Sequence, residues 1–418
     1  MLRFLTAGES HGQALVVIID GIPAGLPLSA DDIAADLARR QLGYGRGRRM
    51  GIERDRAEIL SGVRHGETIG SPIALLIPNR DWTNWLHTMA VDTPGDDLPG
   101  ARRAAVTRPR PGHADLSGGL KFDRDDLRDI LERASARETA ARVAAGAVAR
   151  CLVRALGIRI TSHVTAIGSA ALDEPLAVTF AQAATLAADD EVRCVDAGVA
   201  VDMKRAIDRA RDAGDTVGGA FEVIAHDVPP GLGSHTSWDG KLDGRLAQAL
   251  MSIPAIKSVG IGLGAGAGSR PGSEVHDEIV AGEASGLVPG LARPTNRAGG
   301  LEGGVTNGED LRVSAVMKPI STLMKPLRSV DLATMADAPA AIERSDVCAV
   351  PAAAVVGEAM VAWVLAEAVL EKFGGDTLDD LRAACAHYTD RVAARLQPGS
   401  RQPRRQQPRR RQPGSFQE

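Results

Sequence analysis

Aromatic side chains are scarce: Phe, Trp and Tyr make up 3% of the 418 residues. Base-stacking recognition of nucleic acid needs such rings at intervals, so it is excluded across the folded part of the chain. The four cysteines, Cys151, Cys194, Cys348 and Cys385, stand far apart and form no C-x-x-C pair. That spacing argues against structural disulfides and against a cysteine zinc site, and for a reduced, cytoplasmic setting. No apolar run approaches the ~20 residues that span a bilayer, so no membrane association is expected. The opening Met1-Leu2-Arg3-Phe4 leads within a few residues into Gly8-Glu9-Ser10-His11-Gly12, and on this reading there is no room for a signal peptide. Neither a P-loop lysine motif nor an H-E-x-x-H helix occurs, and no metal site is expected.

What remains is a chain with 44% apolar and 24% charged residues, long enough to bury about three quarters of its unfolded surface. Its formal net charge of −4 is unevenly spread, because the stretch from Pro398 onward holds six arginines and one glutamate. The body is therefore acidic and the tail basic. With almost no apolar side chains, residues 398–418 are expected to be a disordered tail. Residues 1–397 form the folded part, with no linker that cleanly divides it.

Hydrophobic patterning predicts strands at 13–20, 57–63, 69–77, 158–168, 219–228, 257–263, 275–281 and 311–317. Helices are predicted from the Ser29-Ala-Asp-Asp32 cap to Gly43, over 135–156, 202–213 and 241–252, and over 351–373 and 376–395. The stretch 78–122 is rich in Pro, Gly, Asp and Arg and reads as loop. Strands and helices mix without a strict βαβ rhythm, which favours an α+β fold over a doubly wound parallel sheet.

Arginine outnumbers lysine 42 to 7, and many arginines sit in loops stiffened by proline or opened by glycine. Arg40, Arg46, Arg48 and Arg49 flank the glycines of 43–47, and Arg108-Pro-Arg110-Pro-Gly-His113 is a second basic segment. A guanidinium offers a planar fork of donors matched to phosphate and carboxylate, so converging forks suit a small polyanion. Solvated surface charge is the plainer alternative for any one of them. Ser135-Ala-Arg-Glu138 has the form of a capping box ahead of an apolar-periodic run, with Arg133 and Arg137 beside the helix start. Free N–H groups there would favour an anion, although Ser135 could equally do no more than cap its own helix. His11 and His113 stand in glycine- and proline-bounded turns and could move protons. His65, His87, His163, His226, His235, His276 and His387 read as structural or solvent-facing. Asp346, beside Arg344, reads on its own as half of an ordinary ion pair. Gly262–Gly268 is rejected as a dinucleotide loop, since Ser269-Arg-Pro-Gly272 follows where a helix should begin. The glycine-dense stretch 299–308 implies close backbone approach, as around a flat cofactor. Lys318-Pro-Ile-Ser-Thr322 supplies a cation and two hydroxyls after a strand.

Together these segments resemble the chorismate synthase family. The motifs are TAGESHG at 6–12, RRQLGYGRGRRM at 39–50, SGVRHGET at 61–68, RPRPGHAD at 108–115, ERASARETA at 132–140, TNRAGGLEGGVTNG at 295–308, KPIST at 318–322 and RSDVCAVPAA at 344–353. They occur in the family's order and span essentially residues 1–390; the basic tail lies outside them. The resemblance implies a β-α-β sandwich, assembled as a homotetramer, with helices packed between antiparallel sheets. It implies 1,4-anti elimination of phosphate from 5-enolpyruvylshikimate 3-phosphate to give chorismate, a lyase reaction that needs reduced FMN without net redox change. NADPH, or a separate flavin reductase, would keep the flavin reduced.

By the same resemblance, His11 matches the histidine that protonates the departing phosphate, and His113 the one that acts on the reduced flavin near N1. Asp346 matches the carboxylate linked to deprotonation through flavin N5. Ser10, Arg49, Arg110, Arg137 and Arg344 would bind the substrate's anionic groups, while Arg40 and Arg46 match positions for NADP or phosphate contact. Arg133, Ala134, Ser135, Pro254, Ala255, Gly303, Lys318, Pro319, Ile320, Ser321, Thr322 and Arg344 would contact FMN. Gly260 stands where the family pattern has Glu, which removes one side chain from the flavin-adjacent segment. Three rival readings make different predictions. A hydride-transferring flavin oxidoreductase would consume NADPH in proportion to product, a flavin-free hydrolase would release phosphate without FMN, and a tail-driven binding protein would depend on residues 398–418.

Overall fold

Strand alternation builds the first layer. The computed structural model describes residues 1–47, 55–92, 105–342 and 346–396. In it Leu15, Val17 and Ile19 point inward from β2 (Ala14–Asp20) while Ile18 points out, the period of two that a half-buried strand requires. The second strand pairs antiparallel with β1 (Arg3–Ala7) on one side and β4 (Ile73–Pro78) on the other, and β3 (Glu58–Ile59) adds to the far edge of β4. Ile73, Leu75 and Ile77 continue the buried face. A second antiparallel sheet has β5 (Arg159–Ile167), β6 (Ala170–Ala171), β7 (Gly219–His226), β8 (Ile256–Ile261) and β9 (Leu311–Met317) in the order β8-β9-β7-β5-β6.

The longer helices are α1 (Ala30–Gln41), α2 (Asp115–Phe122), α3 (Thr139–Arg154), α4 (Ala197–Asp212), α5 (Leu242–Met251), α6 (Val350–Phe373) and α7 (Leu378–Leu396). Helix α3 packs against the first sheet, α6 against β5 and β7 of the second, and the two helices pack on each other with α1 alongside. The result is the expected α+β sandwich, antiparallel sheets outside and helices between. One apolar core runs through both sheets and the central helices, from Leu2 to Leu381. Small residues let the helices close up: a Cβ added to Gly146 of α3 would lie 2.4 Å from the Ala359 Cβ of α6, and one added to Gly357 would lie 2.6 Å from the Phe221 ring.

Helix α6 corrects the reading that no apolar run is long enough to span a bilayer. Its length and composition pass that test, but 89% of its apolar window is buried inside the protein. It is apolar all round because it is surrounded by protein. One fully buried charge interrupts it. The fully buried Glu358 accepts from Arg39 (2.7 and 2.8 Å), Arg150 (2.6 Å) and Ser162 (2.5 Å), with Arg193 at 3.4 Å.

Several local expectations change. Ser29 and Asp32 form the capping box of α1 as read. Ser135 instead caps a single 3-10 turn, Ala136–Glu138, through the Arg137 N–H at 3.4 Å. Glu138 turns away to Arg142, one helical turn on, so no capping box forms there. Within 78–122, read as loop, α2 appears. Its glycines conceal it in sequence yet serve its packing, since a Cβ on Gly118 would sit 2.3 Å from Ile130 and one on Gly119 2.7 Å from Leu127. The strand predicted at 275–281 shrinks to Val280–Ala281, because Asp277 gathers the Thr295 hydroxyl and the Arg297 and Ala298 N–H groups into a loop hub.

Candidate active site

The turn between β1 and β2 carries Ser10 and His11. It is fastened to the segment before α3, where the Ser10 N–H donates to the Glu132 carbonyl (2.9 Å) and the His11 N–H to the Glu132 carboxylate (2.9 Å). The His11 ring meets the same carboxylate, with Nδ1 3.0 and 2.9 Å from its two oxygens. On its face the ring stacks on Trp85, centroids 3.7 Å apart and planes at 24°. Burial would push the Glu132 carboxyl up. The hydrogen bonds and charge of His11, with the Arg128 charge, outweigh it and hold the group below its ordinary value. Ser135 donates to the buried Ser10 hydroxyl at 3.2 Å. Arg133 reaches back to the Gly8 and Thr6 carbonyls (2.9 and 3.1 Å) and the Thr6 hydroxyl (2.7 Å), and the Ala134 N–H closes a turn on Ile130.

Arg137 and Arg40, read as binders of external anions, have an internal acid between them. Arg137 donates to Asp55 at 3.1 Å, and Arg40 lies 3.6 Å from the same carboxylate. Arg40 also donates to the Thr139 hydroxyl (2.9 Å) and the Ala136 carbonyl (3.0 Å). Both arginines are almost fully buried.

The second histidine has the same kind of partner. His113 Nδ1 is 2.5 Å from Asp115, a carboxylate with no exposed surface, and Arg110 donates to that carboxylate through Nε (2.8 Å), Nη2 (3.1 Å) and its backbone N–H (3.1 Å). Burial opposes its charge, but the His113 and Arg110 hydrogen bonds hold the Asp115 carboxyl well below the usual carboxylate range. Arg110 also donates to the Thr322 hydroxyl (3.1 Å), and the Lys318 ammonium donates to the Gly112 carbonyl. Partial burial, with the neighbouring Lys257 charge, lowers Lys318 from its ordinary value.

Lys318–Thr322 leaves the second sheet at the end of β9, where β7 and β8 begin. The Lys318 N–H donates to Ala255 (2.9 Å), which follows Pro254 and has a φ of +69°. The Ile320 carbonyl accepts from Thr216 (2.7 Å), and Pro319 packs on Gly218. Val217, between Thr216 and Gly218, donates to the Val347 carbonyl and so joins this corner to Asp346. Asp346 accepts from Arg46 (2.7 Å) and from the Gly47 N–H (2.7 Å). Arg142 in the first turn of α3 donates to Ser252 (2.7 Å), tying the helix start to the loop that carries Pro254. The His11, His113 and Asp346 groups are therefore linked through hydrogen-bonded segments at one end of the sandwich.

Gly303 does not join them within the chain. It lies in the turn of the hairpin Leu301–Glu302/Val305–Thr306, where the neighbouring Gly304 carbonyl accepts from Leu242, and residues 300 and 310 pack at the start of β9. That is the opposite end of the strand from Lys318. The glycines of 299–308 bring backbone against backbone, with Gly299 beside Gly262 and Gly300 against Asp310. Arg49, Arg344 and residues 398–418 lie outside the described residues. Among those described, no group of three or more His, Cys, Asp or Glu side chains could hold a metal ion. Sequence reasoning missed Glu132, Asp115, Asp55 and Trp85. The first two were legible only as neighbours of motif residues, one opening ERASARETA and the other closing RPRPGHAD.

A sequence model described as chorismate synthase matches residues 2–370. The chain belongs to the chorismate synthase family. It is 60% identical to the chorismate synthase of Moorella thermoacetica over 388 residues, 93% of this chain and 98% of that protein. It is 55% identical to that of Geobacter sulfurreducens over 397 residues, 94% of this chain and 100% of the other. A solved structure titled "Crystal Structure of Chorismate Synthase" superimposes with a TM-score of 0.75 at 44% identity, covering 94% of this chain and 98% of that one.

Proposed function

We propose that the protein makes chorismate by 1,4-anti elimination, removing the phosphate at C3 and a proton from C6 of 5-enolpyruvylshikimate 3-phosphate. What carries the reading is His11, held beside the helix start by a buried carboxylate, in a chain that matches the chorismate synthase family over residues 2–370. A phosphate departs readily only if its growing charge is met by donors or a proton. His11 is the proton donor of this reading, and Ser10, Ser135 and Arg137, on the same turn and the adjoining helix start, are the groups that would bind the anion. Arg137 would do so by turning part of its fork from Asp55. Arg110, likewise paired with Asp115, and Arg49 and Arg344 complete the proposed anion-binding set. Asp346, oriented by Arg46 and the Gly47 N–H, is the carboxylate assigned to the C6 proton.

Reduced FMN is the proposed cofactor, and the donor set fits it. A flavin phosphate and pyrimidine edge need cations, hydroxyls and approachable backbone. Lys318, Ser321, Thr322 and Arg110 surround Gly112, where a Cβ would come within 3.0 Å of the Lys318 ammonium. These residues, with His113, Arg133, Ser135, Pro254 and Ala255, would hold the flavin. When bound, reduced FMN supplies electron density to the elimination with no net oxidation or reduction. NADPH or a separate reductase would keep it reduced. We place the enzyme in the cytoplasm as a homotetramer, with residues 1–397 as its single catalytic unit. The outward face of the first sheet, where Leu5 and Ile18 pair across β1 and β2, is an apolar surface such an assembly would cover.

The test is anaerobic turnover of 5-enolpyruvylshikimate 3-phosphate with reduced FMN, oxidised FMN or no flavin. Equal phosphate and chorismate with reduced FMN alone, over many turnovers per flavin, is the expected result. NADPH consumed in proportion to product would establish an oxidoreductase instead, and phosphate released without flavin a hydrolase.

A further inference from the structure

We propose that Glu132 is a positioning residue that fixes which nitrogen of His11 meets the leaving group, an inference that rests on the elimination reading above. A carboxylate in this setting can only accept, so the imidazole nitrogen facing it carries hydrogen. Nδ1 lies within 3.0 Å of both Glu132 oxygens, and one of them also receives the His11 backbone N–H. Residue 132 thus grips the histidine by main chain and ring together. The proton that moves to a departing phosphate oxygen is consequently the one on Nε2, and after transfer Nε2 is left with the lone pair while Nδ1 keeps its hydrogen.

A second restraint acts at right angles. Glu132 fixes the ring within its plane, and Trp85, stacked 3.7 Å away, stops it tipping out of that plane. The indole is itself tethered, its Nε1 donating to Asp81 at 3.0 Å. Arg128 lies over the same indole at 5.5 Å and reaches Glu132 at 3.4 Å, linking the two restraints. His113 is held differently. Its carboxylate, Asp115, also receives three hydrogen bonds from Arg110, from Nε (2.8 Å), Nη2 (3.1 Å) and the backbone N–H (3.1 Å). Asp115 is therefore closely neutralised by a permanent cation, whereas among the described residues the permanent cation that Glu132 meets is Arg128, at the longer 3.4 Å.

The experiment reads the tautomer and the kinetics separately. The full-length protein is labelled with 15N-histidine, and the His11 signal is assigned in solid-state NMR by its loss in His11→Gln. In the wild type the neutral ring should be the Nδ1–H tautomer; finding it as Nε2–H would overturn the proposal without any variant. In Glu132→Gln one carbonyl must serve both the ring and the backbone N–H, so a mixed tautomer is expected. With it should come a fall in kcat of about 10²–10⁴-fold, the scale seen when a catalytic histidine loses its orienting carboxylate. KM should stay within about threefold, since the interaction lost is used in the transition state. Unchanged tautomer and unchanged kcat in Glu132→Gln would also overturn it. A wild type that eliminates no phosphate would remove the functional reading alone, because the tautomer measurement needs no turnover.

Discussion

Glu358 and Glu132 are both buried glutamates, and they differ in the company they keep. Glu358 stands in the middle of α6 among Arg39, Arg150 and Arg193, cations that hold their charge at any pH the protein meets. Glu132 faces His11, an imidazole rather than a permanent cation. A third pair separates the two features. Glu222 is bound by Arg312 at 2.6 Å and by His163 at 2.9 Å, but that histidine has no exposed surface, whereas the His11 side chain keeps 16% of its own. Burial with ion pairing is therefore shared by structure and chemistry. What marks the site is an imidazole partner that solvent or substrate can reach.

The comparison breaks most severely at Glu358. Glu358→Ala would leave three arginines facing a void, at an expected loss of about 3–5 kcal/mol, read as a large drop in the thermal midpoint or a failure to fold. Its pH dependence has a definite sign. Burial raises the Glu358 carboxyl, but the arginine charges overcome it and hold the folded value below the ordinary 4.5. The stabilisation is therefore full above about that pH and drains away as pH falls beneath it. Denaturant titrations below that point should show a shallower pH dependence in Glu358→Gln than in the wild type.

His11→Gln tests the other side. Loss of a proton donor predicts a kcat lower by about 10²–10⁴-fold, with the thermal midpoint nearly unmoved, measured by anaerobic phosphate release and calorimetry. His163→Gln should do the reverse, costing about 1–3 kcal/mol for a disturbed buried hydrogen bond and leaving kcat alone. An activity loss in His163→Gln at unchanged stability would erase the distinction drawn above. Deleting residues 398–418 should have the smallest effect, with turnover and midpoint both unchanged; loss of turnover would give the basic tail a role in the reaction.

Much of the sandwich was legible because its elements obey local rules. Ser29 caps α1, alternation in 14–20 gives β2, and the strands from 159, 219, 256 and 311 lie where apolar patterning puts them. The failures have physical causes. Gly118 and Gly119 lower helix propensity while permitting the contacts with Ile130 and Leu127 that make α2. Helix α6 reads as buried or as membrane-spanning by composition alone, and tertiary packing decides. At the site, the sequence picked out the cationic residues and Asp346 but not the other acids. An aspartate or glutamate in a motif has no local mark that says it will be buried, so Asp55, Asp115 and Glu132 stayed hidden. That is also why Arg137 and Arg110 looked uncommitted when each already has an internal partner.

The contact of Gly146 with Ala359 sets a mechanical gauge. His11 rides on the first sheet and Lys318 on the second, and the helices between them act as a spacer whose thickness is the closest approach of α3 and α6. One extra methyl at position 146 would wedge that joint, because the facing backbone of a packed helix has nowhere to go. The displacement would be felt at the ends of the layers, where the two halves of the site must stay in register. A residue with no functional group thereby governs the span across which the reacting groups work.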